Sequence, residues 1–462
     1  MHRICLTALC SSIALQIAGS AVASGFSETI LTASDAAAGR DFGNSVSKSG
    51  GRIAIGAPLH DGMGQAAGAA YVFEAGYPAG GVASWVEVAK RFALDAEPND
   101  SFGHSVSIDQ ATLVVGAPGE GDPGLFSGAA YVFERDLGGA GSWSEAKKLE
   151  ASDSAQLDQF GISVAISGDT IVVGAHQDED AGSFTGSAYV FARDAGGSGN
   201  WGEVKKLMAS DASADHHFGF AVAISGDTIV VGAYGDDDNG MLAGAAYVFE
   251  RDVGGADNWG EAKKLVAPDG VNFDQFGSAV AIDGDELVAG MFSDDEPFHK
   301  SGSAYVFERG LGASGSWGLR EKIAAADAGE LDWFGRAVAI RHGRVASGAY
   351  NADTNVVVAG SAYLFERDSG GASSWGEASK LVASDAAQGD RFGISVAVDH
   401  DAIVIGADAA DAVYVYQASP TELPVGPASG SLLLEAALLV TARRHLCTRR
   451  MRPGAADEPA RA

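Results

Sequence analysis

Cysteine and proline are scarce in this sequence, and so are apolar runs with a helical period. Only 3 of the 462 residues are cysteine and 12 are proline, whereas 46% are hydrophobic. Cys5 and Cys10 lie in an N-terminal apolar segment, and Cys447 lies near the C-terminus. The body of the chain therefore cannot depend on disulfides and needs a large packed core. Short runs of Val, Ile, Tyr and Phe between clusters of Gly, Asp and Ser predict an all-β protein.

Basic residues are also few. The 31 Lys and Arg stand against 61 Asp and Glu, which gives a formal net charge of −30. Because Arg3 contributes +1 and residues 419–462 contribute +2, the body from 24 to 418 carries −33. Such a charge disfavours binding to nucleic acid and to anionic membranes, and it attracts cations and basic partners.

The N-terminus has the features of an export signal. Arg3 precedes an apolar stretch, and residues 21–23 read Ala-Val-Ala, a small-residue cleavage site. This pattern predicts a signal peptide over residues 1–23, with a buried N-terminal helix as the alternative. We therefore expect an exported protein, which is secreted, periplasmic or at the cell surface.

A repeat dominates the rest of the chain. The stretch FGISVAISGDTIVVGA at 160–175 returns as FGFAVAISGDTIVVGA at 218–233. The Phe-Gly pair occurs seven times, first after 60 residues and then every 58. Its phenylalanines are Phe42, Phe102, Phe160, Phe218, Phe276, Phe334 and Phe392. Six of the seven tryptophans keep the same step. A fixed period of this kind indicates repeated supersecondary units.

Each unit contains four short strands. In the unit that starts at Phe160, FGISVAIS, TIVVGA, GSAYVFARD and WGEVKKLMAS are separated by turns and loops rich in Gly and Asp. Four strands per unit are typical of a β-propeller blade. Side chains alternate along AYVF at 188–191, so that both faces are apolar, as expected for a blade packed between two others.

The two ends of the chain predict a closed ring. The last unit stops after its third strand at 412–417, and residues before Phe42 resemble the fourth strand of the other units. The N-terminal strand would thus complete the last blade. An open solenoid needs no such phase shift between its termini, so we predict a seven-bladed propeller over residues 24–418.

The repeat resembles the FG-GAP repeat. The resemblance rests on Phe-Gly at the head of each unit and on Gly-Ala-Pro at 56–58 and 116–118. It implies the seven-bladed propeller of integrin α heads, which binds partners through one loop face. Integrin calcium loops join the first and second strands. Here those turns are as short as Ser167–Asp169, too short to surround calcium, so these sites do not carry over.

The predicted loop face is acidic. The loops between second and third strands and the crossovers between blades open on one face, which holds 31 of the 61 acidic residues. Three adjacent blades concentrate carboxylates there, and we take them as the candidate ligand face. They are Asp178, Glu179, Asp180, Asp236, Asp237, Asp238, Asp294, Asp295 and Glu296. Weak calcium binding is considered at Asp178, Asp180, Asp236, Asp238 and Asp294; the alternative is an acidic face that only improves solubility.

No catalytic motif is apparent. The sequence lacks G-x-S-x-G, H-E-x-x-H and a phosphate loop. The pair His216-His217 is expected to be part of a solvated loop. The aspartate seven residues before each Phe-Gly is expected to be structural and to accept backbone N–H groups. We expect no enzyme, although a polysaccharide hydrolase or lyase assembled from central side chains is kept as the alternative.

Residues 419–462 follow a different pattern. A linker, a short apolar run and an Arg cluster resemble a C-terminal sorting signal, and a loose or disordered tail is the alternative. The sequence as a whole predicts a binding or adhesion module that recognises an extracellular protein or glycan through the acidic face. A lectin or carbohydrate-active enzyme, or a structural surface protein, are the rival interpretations.

Overall fold

The protein is described by a computed structural model that covers residues 25–76, 83–121, 125–311, 315–353 and 356–418. The predicted signal peptide and the predicted sorting segment lie outside these residues. The described chain forms seven antiparallel sheets of four strands each. It contains no helix that is long and apolar enough to cross a bilayer.

The strands follow the order predicted for each unit. The first strands are β2 (Ser45–Ser49), β6 (Ser105–Asp109), β10 (Ser163–Ser167), β14 (Ala221–Ser225), β18 (Ala279–Asp283), β22 (Ala337–Arg341) and β26 (Ser395–Val398). The second strands are β3 (Arg52–Ala57), β7 (Thr112–Ala117), β11 (Thr170–Ala175), β15 (Thr228–Ala233), β19 (Glu286–Met291), β23 (Arg344–Ala349) and β27 (Ala402–Ala407). The third strands are β4 (Ala69–Gly76), β8 (Ala129–Arg135), β12 (Ser187–Ala192), β16 (Ala245–Glu250), β20 (Ser303–Arg309), β24 (Ser361–Arg367) and β28 (Ala412–Ala418). The fourth strands are β5 (Ser84–Arg91), β9 (Trp143–Leu149), β13 (Gly202–Leu207), β17 (Gly260–Leu265), β21 (Trp317–Ile323), β25 (Trp375–Leu381) and, from the N-terminus, β1 (Phe26–Leu31). A 3-10 turn covers Asp408–Ala410.

The ring closes through the N-terminal strand, as predicted. Strand β1 pairs with β28 in antiparallel register, with Phe26 opposite Ala418 and Leu31 opposite Val413. The first strand of every blade contacts the first strand of the next, and β26 contacts β2. We number the blades 1 to 7 in the order of their Phe-Gly pairs. The N-terminal strand completes blade 7, which leaves no open seam between blades 7 and 1.

The hydrophobic core lies between neighbouring blades. Ala188 and Val190 on blade 3 pack against Tyr247, Phe249 and Trp259 on blade 4. Small side chains on one face of a blade thus pack against large aromatic side chains on the next blade. This confirms the prediction that both faces of these strands are apolar and packed. The seven repeated phenylalanines are all buried in these interfaces. They are Phe42, Phe102, Phe160, Phe218, Phe276, Phe334 and Phe392.

The glycine of Phe-Gly is explained by close backbone contact between blades. Gly219 has a φ of +91°, a left-handed conformation that favours glycine. Its carbonyl oxygen faces Gly174 of the previous blade, where an added Cβ would lie 1.9 Å from that oxygen. Both glycines are therefore required for the blades to approach each other.

Candidate functional site

The crossovers and the second-to-third-strand loops open on one face of the ring, which we call the loop face. In blades 3 and 4 they are joined by backbone hydrogen bonds. The N–H groups of Asp215, His217 and Phe218 donate to the carbonyl groups of Ser183, Phe184 and Thr185 in the loop of the preceding blade. Each crossover is thus held against its neighbour's loop, and residues from two blades form a common surface.

The three acidic clusters lie on the loop face, but the first member of each is buried. Asp178, Asp236 and Asp294 have 3%, 0% and 3% of their surface exposed. Asp178 accepts hydrogen bonds from the Tyr189 hydroxyl at 2.6 Å and from Lys206 Nζ at 2.8 Å. The fourth-strand lysine and the third-strand polar side chain hold these three carboxylates inward, so they contribute little to the exposed surface of the loop face. That the acidic clusters bind a ligand stays a prediction.

The other six members of the clusters face solvent. They are Glu179, Asp180, Asp237, Asp238, Asp295 and Glu296. Two of the six still contact a lysine, since Asp180 contacts Lys206 and Asp238 lies 2.7 Å from Lys264. Part of the negative charge at the clusters is consequently balanced by Lys206, Lys264 and Lys322.

A lysine ammonium group occupies the point where the carboxylates converge. Oxygens of Asp153, Asp178 and Asp180 come within 4.8 Å of one another. Lys206 Nζ lies 2.7 Å from Asp153 and 2.8 Å from Asp178, and it contacts Asp180 as well. Burial lowers the pKa of Lys206, but the bonds to these carboxylates outweigh that effect and raise it above its usual value. Calcium at this cluster would have to displace the ammonium group, so the side chains do not fit the ion as they stand.

The repeated aspartate seven residues before Phe-Gly belongs to the same network. Asp211 accepts hydrogen bonds from the Tyr247 hydroxyl and from Lys264 Nζ, both at 2.7 Å. Burial raises the pKa of Asp211, but these two bonds hold it below its ordinary value. The residue ties the crossover to the third and fourth strands of the next blade, mainly through side chains rather than through the backbone groups that we expected.

The central channel contains two cavities. One of about 290 Å³ opens on the loop face, and one of about 330 Å³ opens on the opposite face. Both are bounded by the same ring of seven valines. They are Val46, Val106, Val164, Val222, Val280, Val338 and Val396. The loop-face cavity is thus a cup with an apolar floor, and we call its opening the channel mouth.

Side chains around the channel mouth differ from blade to blade, although the blades are otherwise repetitive. Three positions of each repeat are involved. The residues before Phe-Gly are Asp41, Ser101, Gln159, His217, Gln275, Trp333 and Arg391. The residues after it are Asn44, His104, Ile162, Phe220, Ser278, Arg336 and Ile394, and all seven line the cavity. The residues directly after the second strand are Pro58, Pro118, His176, Tyr234, Phe292, Tyr350 and Asp408.

Aromatic rings from blades 3 to 6 form an arc at the channel mouth, in which Arg336 lies between two groups of contacting rings. His217 stacks on Tyr234, with ring centres 4.8 Å apart, and Phe220 meets the same tyrosine edge-on at 4.7 Å. Trp333 contacts Tyr350 at 5.2 Å and Phe292 at 6.4 Å. These rings are half-buried. They offer apolar surface to a ligand while their other sides are packed.

The backbone before each Phe-Gly adopts a left-handed conformation. The φ of Trp333 is +60° and that of His217 is +55°, and the five equivalent residues lie between +55° and +60°. Glycine would be the least strained residue at such positions, yet none of the seven is glycine. The side chains are thus retained at a cost in backbone strain, which points to a use for them.

Two arginines lie among these rings in different electrostatic settings. Arg391 Nη1 lies 3.0 Å from Asp408 Oδ2, and its guanidinium group lies over Tyr350. Burial raises the pKa of Asp408 to about 6, although Arg391 opposes that rise. The Arg336 guanidinium carbon lies 5.9 Å from the ring centre of Phe220 and 5.6 Å from that of Phe292. Among the described residues, no side chain or carbonyl group pairs with it.

Of the pair that the sequence placed in a solvated loop, His216 is buried and His217 is half-buried. His216 is 2% exposed and its ring lies 3.3 Å from Asp237, while His217 is enclosed between Phe184 and Tyr234. The prediction of a solvated loop is therefore wrong. Burial lowers the pKa of His176 to about 3 and that of His104 to about 4. Both rings are neutral at physiological pH.

Sequence reasoning missed the channel mouth. Two signals for it were present: the one tryptophan that departs from the 58-residue step is Trp333, and the residues that flank Phe-Gly vary within a constant repeat. Neither signal reveals by itself that these positions meet on the ring axis.

Comparison with known proteins supports the fold. The FG-GAP repeat profile matches seven segments. They are residues 26–73, 85–133, 143–191, 201–249, 259–307, 317–365 and 375–417. No curated protein sequence matches the chain significantly. Among solved structures, the chain is similar to Chaetomium thermophilum Sqt1 bound to the N-terminus of the ribosomal protein L10. The identity is 15% and the TM-score 0.47, over 80% of this chain and 81% of that one.

Proposed function

The chain belongs to the FG-GAP repeat family, and we propose that it is a binding module that receives its ligand at the channel mouth on the loop face. The FG-GAP propeller supports a protein-interaction module in general. The finer proposal concerns where the ligand binds and what kind of ligand it is. It keeps the loop face predicted from the sequence but moves the site from the acidic clusters to the axis.

One observation carries this proposal. Seven nearly identical blades would by themselves give a ring of identical side chains, but the positions around the channel mouth hold a different residue in almost every blade. The scaffold positions, such as the phenylalanine of Phe-Gly and the valine four residues after it, are the same in all seven. Variation on a concave, half-exposed surface within an otherwise constant strand framework supports a ligand site there.

The chemistry of the channel mouth favours a glycan over a protein partner. Half-buried aromatic rings such as Tyr234, Trp333 and Tyr350 can pack against the C–H groups of a sugar ring. The cavity of about 290 Å³ admits one substituted six-membered ring rather than a protein loop. This is the lectin interpretation that the sequence left as a rival, placed within an exported protein as residues 1–23 predict.

We propose binding without catalysis. His104 and His176 have pKa values of about 4 and 3, because burial disfavours their charged forms. Such weak bases are poorly suited to remove a proton at neutral pH. Asp408, whose pKa burial raises to about 6, is held by Arg391 at 3.0 Å. We expect polysaccharides to be retained without the release of new reducing ends.

The test is an array of acidic and neutral polysaccharides, with extracellular-matrix proteins on the same array, probed with the purified chain. We expect binding to a subset of the glycans, and we expect Trp333→Ala to abolish it. Phe298→Ala is the matched control, because Phe298 is 52% exposed and lies in a second-to-third-strand loop outside the aromatic arc. Glycan binding that survives Trp333→Ala, or binding to matrix proteins alone, would contradict the proposed site or ligand. New reducing ends would contradict the absence of catalysis.

A further inference from the structure

We propose that Arg336 forms an ion pair with the single carboxylate of an acidic sugar residue that enters the channel mouth. This inference rests on the proposed function and specifies the chemistry of its ligand. The group recognised would be a monoanionic carboxylate on a sugar ring, as in a uronic acid, carried by an otherwise neutral glycan.

The first argument is the setting of Arg336. Its side chain directly precedes β22, lines the open loop-face cavity and is half-buried, and the partial loss of hydration lowers its pKa. The guanidinium group remains charged, because its ordinary pKa is far above neutral. Buried charges are normally paired, since an unpaired one loses its hydration without compensation. No partner is found in the described part of the chain, and the nearby charged residue Arg391 is itself a cation.

The second argument is the count of charges at the channel mouth. The positive charge of Arg391 is already balanced by Asp408 at 3.0 Å. The other acid at the channel mouth, Asp41, also lies near Arg391. Arg336 therefore has no carboxylate of its own among the described residues. A carboxylate would neutralise it, whereas a dianionic phosphate or a polyanionic chain would leave excess negative charge beside an acidic face.

The third argument is the geometry around the guanidinium group. A planar guanidinium can bind a carboxylate with two parallel hydrogen bonds. Arg336 is flanked by Phe220 and Phe292, which restrict its orientation and exclude water from its faces. A carboxylate bound at its edge would place the attached ring against the aromatic arc, where sugar C–H groups can pack.

The cavity also contains a polar group without a partner. Ser278 follows Phe-Gly in blade 5, lines the cavity and is 3% exposed. Its hydroxyl oxygen has no hydrogen-bond partner within the described residues. A hydroxyl group can rotate to donate to or accept from a sugar hydroxyl, so this position fits a ligand that is rich in such groups.

The test uses isothermal titration calorimetry with the full chain and two probes. One probe is a neutral-sugar tetrasaccharide that ends in one glucuronate, and the other is its methyl ester, which removes only the charge. We expect the acid to bind at least tenfold more tightly than the ester. We also expect Arg336→Met to weaken binding of the acid at least tenfold while it leaves the ester unaffected. Arg336→Lys should retain part of the affinity, since it keeps the charge without the bidentate geometry.

Arg341→Met is the matched control. Arg341 lies on the same strand β22 but at the opposite end of the channel, and it should not affect either probe. If the acid and the ester bind equally well, and Trp333→Ala loses binding whereas Arg336→Met does not, the carboxylate inference is overturned and the proposed function stands. Failure of both probes to bind wild-type protein would also overturn it. The proposed function fails separately, when no glycan on the array depends on Trp333.

Discussion

The guanidinium carbon of Arg336 lies 5.9 Å from the ring centre of Phe220, and the group has no acidic partner among the described residues. A cation–π contact compensates only part of the loss of hydration of a half-buried charge such as this one. An arginine in this setting lowers the stability of the fold, so we infer that it is retained because it binds a ligand.

We therefore predict that Arg336→Met stabilises the ligand-free protein. Methionine keeps the length of the side chain and removes the unpaired charge, so the free energy of unfolding should rise by on the order of 1–3 kcal/mol. Thermal unfolding without ligand measures this change. Arg341→Met serves as the control, because Arg341 is half-exposed and should change stability little. A lower melting temperature for Arg336→Met would indicate a protein partner for the guanidinium group.

Lys206→Met should destabilise the protein and create a calcium site. Removal of the ammonium group leaves the buried Asp178 unpaired, which costs on the order of 3–5 kcal/mol. Three carboxylates then converge without a cation, so millimolar calcium should raise the melting temperature of the variant. The wild-type melting temperature should not change with calcium, because the lysine fills the position. A clear rise for the wild type would support the calcium prediction made from the sequence.

Asp158→Asn should stabilise the protein at neutral pH but not at pH 4. Burial raises the pKa of Asp158 to about 6, and the nearby Asp178 adds to this, although the Ala155 N–H bond opposes it. The protonated form thus stabilises the folded state below the unfolded value of about 3.8, and this contribution is lost as the pH rises through about 6. Asparagine stays neutral throughout.

The expected gain for Asp158→Asn at pH 7.5 is on the order of 1–3 kcal/mol, and it should vanish near pH 4. Chemical denaturation at the two pH values measures it. Asp274→Asn is an independent repeat, because burial raises the pKa of Asp274 to about 6 as well. Equal effects at both pH values would show that the pKa of this carboxyl is not raised in the folded state.

Deletion of residues 1–31 should open the ring. Without β1, the edge of β28 loses its antiparallel partner and presents unpaired backbone groups. We expect association through this edge and loss of a single cooperative unfolding transition, as measured by size-exclusion chromatography and calorimetry. Attachment of residues 26–31 after Ala418 through a short turn should restore the monomeric state if the strand acts only by closing the blade.

The sequence predicts the fold well because each blade repeats the same local pattern. Phe-Gly and the alternating AYVF strand recur at 58 residues, so that seven copies confirm one another. Ring closure follows from the incomplete first and last units. The structure adds the reason for the glycines, since a Cβ on Gly174 would collide with the carbonyl group of Gly219.

The site could not be predicted in the same way. Phe220, Tyr234, Trp333 and Arg336 come from three blades and meet only because the ring closes around an axis. The acidic clusters can be recognised in the sequence because their residues are adjacent. The burial of their first members depends on lysines 28 residues later in the chain, as for Asp178 and Lys206. No local sequence pattern predicts that these two side chains come into contact.

The most direct test of the account compares the acidic clusters with the channel mouth. One variant combines Glu179→Gln, Asp237→Asn and Glu296→Gln, which neutralises exposed carboxylates in all three clusters, and the other is Trp333→Ala. Their affinities for the glucuronate-terminated tetrasaccharide would be measured by calorimetry. We predict that the first variant binds as well as the wild type or better, and that Trp333→Ala loses at least tenfold. Loss of binding in the first variant with full binding by Trp333→Ala would contradict the central claim and return the ligand to the acidic clusters.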